Sequence, residues 1–187
     1  MKHSSLSGVL RFLRDSRGSV AIETLIILPF VLWAYLGTYQ FYDAFGTKTR
    51  NLRATYTIAD LISRQTQTVT PAYIDGLTSL YSYLDHNPPG VWARVTCVSW
   101  DPNAGTSGMY YVMWSYATNS NPALDDTTLQ SYVPRLPTIA QGDTLIVVET
   151  HMIYHPIARL VGMPTLTLNQ VVITRPRISP QVAFSSS

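Results

Sequence analysis

Few side chains in this 187-residue chain could do chemistry, and they are widely spaced. Glu149, His151 and His155 share one parity, so on a β-strand they fall on one face. Imidazole and carboxylate are common ligands of divalent metals. An extended strand, however, carries His151 and His155 about 13 Å apart, too far for one ion unless the chain bends at Pro156. The three residues therefore read as an exposed polar strand face. Asp125 and Asp126 read as a loop or N-cap pair rather than a catalytic dyad. Cys97 is the single cysteine. It excludes an internal disulfide and a Cys-rich zinc site, and within a strand pattern it reads as a small buried apolar residue. The chain holds no G-x-S-x-G, H-E-x-x-H, phosphate loop or G-x-G-x-x-G. No catalytic residue, metal or cofactor is expected, and an enzyme is the least favoured class.

Glu23 is the informative acid. Charged residues make up 13% of the chain, against about 25% in an average soluble protein. The deficit is local, because no charge lies between Glu23 and Asp43. The run between them, extended back through Ala21 and Val20, reaches the roughly 20 apolar residues that a membrane helix needs. Trp33, Tyr35, Tyr39 and Tyr42 lie in its second half, as aromatic residues do near a membrane–water boundary. Pro29 removes one helical hydrogen bond, which membrane helices tolerate. Lys2, Arg11, Arg14 and Arg17 precede the run, opposed only by Asp15. The positive-inside rule then leaves the N-terminus in the cytoplasm, although Lys48, Arg50 and Arg53 follow on the other side. A secretory signal peptide fits less well, since the run is long and no A-x-A site follows. A net charge of +2 gives no argument for nucleic acid as a partner.

Gly18 stands five residues before Glu23, after a basic leader. The arrangement resembles the type IV prepilin cleavage motif. Carried over, a prepilin peptidase cuts between Gly18 and Ser19, and Glu23 becomes the fifth residue of the mature chain. The stretch RGSVAIETLIILPFVLWAYLGTYQFYDAF resembles the N-terminus of TadE-like minor pilins (pseudopilins) of the Tad, or type IVc, pilus. The stretch YHPIARLVGMPTLTLNQVVITRPRIS resembles their C-terminal part. The likeness covers about residues 14–66 and 143–179. Thr24 departs from it, for the related pilins carry an aromatic there. The resemblance implies a leader over residues 1–18, a transmembrane helix over 19–42 and an extracytoplasmic pilin-like domain over 43–187. It also implies a single-pass inner-membrane protein that enters the pilus. Its partners would be the peptidase, other major and minor pilins, the inner-membrane assembly platform and membrane lipid. Glu23 would neutralise the α-amino group freed at Ser19. The alternative is an uncleaved, membrane-anchored binding or scaffold module.

The elements that must position these residues follow from periodicity. Phe45, Leu52, Tyr56, Ala59 and Ile62 recur at helical steps, so the helix should run over 19–67 with that stripe inward. Such a helix is about 70 Å long. Thr70 should cap a second helix over 71–84, buried through Ile74, Leu77, Leu80 or Tyr81, and Leu84. Residues 91–100 and 109–118 read as strands joined by the turn-rich 101–108. Residues 143–154 and 165–174 read as two more, with Ile146, Val148, Met152 and Tyr154 inward. Residues 119–138 read as a polar loop with a helical turn inside 126–133. Arg175 and Arg177 should end the last strand as solvated charges, and 179–187 should fray. The expected fold is α+β in two layers: a long N-terminal transmembrane and spine helix on an antiparallel sheet of about four strands.

Overall fold

The computed structural model describes residues 19–86, 88–105, 108–156 and 162–186. The first helix, α1 (Ser19–Ser63), stays helical through Pro29. Contacts divide the chain after Asp43: Ala44–His155 and Pro164–Ser187 form one compact unit, and the described residues up to Asp43 belong to another.

In the larger unit, α1 and α2 (Pro71–Leu84) cover one face of a four-stranded antiparallel sheet. The strands are β1 (Trp92–Asp101), β2 (Met109–Ala117), β3 (Thr144–Tyr154) and β4 (Leu166–Thr174), in the order β2-β1-β3-β4. The fold is thus α+β, with a long N-terminal apolar helix whose domain half packs on the sheet. Thr70 caps α2 by accepting a hydrogen bond from the Tyr73 N–H at 3.3 Å, and Pro71 fills the first turn, where a missing donor costs nothing. In the β1–β2 turn the Asp101 carboxylate accepts from the Asn103 N–H, and Gly108 has φ +78° with the Trp100 ring close against it. A Cβ there would meet that ring at 2.2 Å, so the turn needs glycine.

Four expectations change. The inward face of α1 carries Asn51, Ala54, Thr55, Ile58, Ala59, Ile62 and Ser63, while Phe45, Leu52 and Tyr56 remain outside. Ala59 and Ile62 of the expected stripe do turn inward, but buried polar side chains take the other places, and most of their groups are bonded, Asn51 Nδ2 being the exception. Tyr81 OH donates to Asn51 Oδ1 at 2.9 Å, and Thr55 and Thr150 share a hydroxyl bond of 2.6 Å. On α2, Tyr81 rather than Leu80 completes the stripe, and Leu84 is 37% exposed. The sheet is covered on more than one face. Besides the helix-side core of Ile58, Ile62, Ile74, Val95, Ile146 and Val148, a second core joins Val98, Tyr110, Leu145 and Val147 to Leu124, Leu129 and Ile139 of the loop. The loop therefore adds a third, irregular layer, and both parities of β3 are buried. Finally, the C-terminal tail is tied down. Val69 N–H donates to Ala183 O, Ser185 N–H donates to Val69 O, and the Phe184 ring stacks on Trp114 at 4.9 Å.

One buried acid carries no hydrogen bond on its carboxylate. Asp85 closes α2, and Arg50 Nε lies 3.8 Å away. Burial pushes its carboxyl up to about 6, against the pull of Arg50 and His86.

Candidate functional site

Two places hold the residues that the sequence singles out. The first is the start of α1. Gly18 lies outside the described residues. Ser19 is the first described residue of the helix, and Glu23 follows four positions later, about one turn on. Glu23 is exposed, as are its neighbours Val20, Leu25, Ile26 and Ile27. The helix Val20–Ser63 is long and apolar enough to cross a membrane, and no part of its most apolar window is buried.

The second place is the sheet face turned away from the helices, where Glu149 and His151 lie. Glu149 is not an exposed polar residue, as its parity with the histidines suggested, but is 7% exposed and fully engaged. Its carboxylate accepts from Arg94 Nε on β1 and from the Tyr132 hydroxyl. Arg94 also donates to the Tyr132 oxygen and to Pro122 O, each at 3.2 Å. Burial disfavours the Arg94 charge, but the bond and charge of Glu149 outweigh it and hold the guanidinium above its ordinary value. Burial and then Glu149 push the Tyr132 phenol up. A buried pair with its remaining lone pairs and protons satisfied in this way is a fixed structural element. His151 stacks on Trp92, with ring centroids 5.2 Å apart and planes 19° apart. His155 lies beyond the end of β3, 3.5 Å from the Thr165 hydroxyl, so the sheet does not bring the two histidines and Glu149 together as one ligand set. Among the described residues no three His, Cys, Asp or Glu side chains are placed to hold a metal ion.

Asp125 caps the short α3 (Asp126–Leu129), accepting from the Thr128 N–H at 2.7 Å, and the hydrogen bonds of the Thr128 side chain and then of its N–H hold the Asp125 carboxyl below the ordinary value. Asp126 accepts from Val112 N–H at 2.6 Å. Cys97 is fully buried in β1, and burial pushes its thiol up to about 11, so little thiolate forms at neutral pH. Arg175 and Arg177 stay exposed, each near an acid: Asp143 at 3.7 Å and Asp60 at 3.3 Å.

The sequence reading missed Trp92, Arg94, Tyr132, Arg135 and Asn169. Two signals were present. Arg94 is the lone cation in the apolar run WARVTCVSW, and Glu149 is the lone acid in TLIVVETHMIY. Opposite lone charges in two buried strands predict a cross-strand pair, and the register sets Arg94 opposite Glu149. Comparison with family models, with curated proteins and with solved structures gave no match.

Proposed function

We propose that this chain is a minor pilin of the TadE-like kind, cut by a prepilin peptidase between Gly18 and Ser19 and used in assembly of, or adhesion by, a Tad-type pilus. The observation that carries this reading is Glu23. It is a carboxylate at the head of an exposed apolar helix, one turn from Ser19, and the same helix continues into an α+β domain.

The chemistry is that of charge matching. Cleavage creates an α-amino group at Ser19 that is positive at neutral pH. Among packed apolar helices such a charge is costly unless paired, and Glu23 of the same or a neighbouring helix supplies the pair. In the inner membrane, lipid covers the apolar faces of the helix. In a filament, the helices of other major and minor pilins take its place, in close van der Waals contact. The inner-membrane platform would carry the subunit from one setting to the other. The leader's basic residues support a single pass with the C-terminal domain outside the cytoplasm.

Glu23→Ala tests the pairing. The variant should reach the membrane fraction at wild-type level, yet its recovery in sheared pili should fall at least about tenfold, as a missing buried partner of a charge implies. Wild-type recovery would remove Glu23 from the mechanism. Blocking the cut at Gly18 separates this reading from an uncleaved anchored module, which such a variant would leave unaffected.

A further inference from the structure

The third layer leaves part of the far sheet face open. Two cross-strand rungs floor a cleft of about 810 Å³: Trp92–His151–Asn169 and Arg94–Glu149–Val171. Its size falls in the roughly 300–1,000 Å³ range of small-ligand clefts. Ser131, Tyr132 and Arg135 of the loop form a wall. The floor is held rigid, because Arg94, Glu149 and Tyr132 bond to one another and the Trp92 and His151 rings stack. Fixed groups lose little freedom on binding.

Charge and hydrogen-bonding capacity then describe the missing ligand. Arg94 and Glu149 cancel, which leaves Arg135 as the cation without an ion pair among the described residues around this cleft. An exposed guanidinium at a cleft mouth suits a carboxylate, which it can hold through two parallel bonds. Asn169 offers an uncommitted amide beside the ring stack. The floor strands β1 and β3 are each paired on both edges, and the free edge of β4 lies at the rim of the sheet, so the floor itself offers no free ladder for an extended peptide. Recognition must therefore run through side chains: a carboxylate for Arg135, hydroxyls for Asn169, and flat C–H surface for the rings.

We propose that this cleft binds a carboxylate-bearing saccharide of the uronic-acid class. Arg135 takes the carboxylate, Asn169 takes ring hydroxyls, and the Trp92–His151 stack supplies apolar ground. The site does not depend on the pilin reading, since it lies wholly in the larger unit and needs no cleavage at Gly18.

The test is calorimetric titration of the full chain in lipid nanodiscs with tetragalacturonate, with neutral cellotetraose and with an acidic glutamate peptide. Saturable binding of tetragalacturonate is expected, with cellotetraose and the peptide each at least about tenfold weaker. Arg135→Ala should weaken binding about tenfold without moving the melting temperature, because Arg135 is exposed; Asn169→Ala should weaken it about threefold. Absence of saturable tetragalacturonate binding, an unchanged affinity in Arg135→Ala, or equal affinity for the peptide would each overturn the proposal.

Discussion

Along the first half of α1 the large apolar side chains stand exposed, Leu25 at 72% and Phe30 at 71%, whereas Ala54, Ile58, Ala59 and Ile62 of the second half are each at most 3% exposed. Some polar residues follow the same change along the helix. Glu23 points outward in the first half, while Asn51 and Thr55 turn inward in the second and bond to Tyr81 and Thr150. In an isolated soluble protein, so continuous an apolar surface would be a liability, for such patches mark membrane or partner contacts. The domain half packs on the sheet and α2, and it tolerates Asn51 and Thr55 because Tyr81 of α2 and Thr150 of the sheet bond to them. The difference shows that apolar content alone does not fix which side of a helix is buried; what it packs against decides.

Substitutions that act on only one half sharpen the contrast. Ile58→Ala should cost the domain about 2–5 kcal/mol, seen as a lower melting temperature, because Ile58 is 1% exposed in the helix-side core. Ile26→Ala, at a residue 59% exposed, should leave that transition unmoved. Equal losses from both would erase the distinction between the halves. Leu28→Arg should cost about 3–4 kcal/mol of membrane insertion and shift the protein out of the membrane fraction. Retention at wild-type level would argue that the first half does not face lipid.

The smallest effect concerns Asp85, in the well-buried region. Its carboxyl titrates near 6 in the folded state against an ordinary value of 3.8. The folded protein therefore keeps this proton to higher pH than the unfolded chain does. Stability from this group is full below about pH 4, falls as pH rises to about 6, and stays low above. Asp85→Asn should raise stability at pH 7 by about 1–3 kcal/mol and flatten that part of the pH profile. A variant less stable than wild type at pH 7 would mean that the contact with Arg50 outweighs burial.

Much of the fold was legible. Four strands, two main helices and the Thr70 cap lie close to where periodicity and turn chemistry put them, because β-branched and aromatic runs and the Thr-Pro pair act locally. The misreadings share one cause. The inward turn of Asn51 and Thr55, the burial of Leu145 and Val147 under the loop, and the docking of Val182 and Phe184 all depend on partners distant in sequence. The candidate sites divide the same way. Gly18, Ser19 and Glu23 are neighbours in sequence and stand out as a motif. The cleft residues Trp92, Arg94, Tyr132, Arg135 and Asn169 meet only through strand register and loop packing.

The central claim is that the apolar half of α1 begins, in the working protein, with a free charged amine matched by Glu23. Intact-mass and N-terminal peptide analysis of the protein recovered from assembled pili tests it directly. The account predicts a chain beginning at Ser19. A recovered chain that still carries Met1 through Gly18 would contradict it.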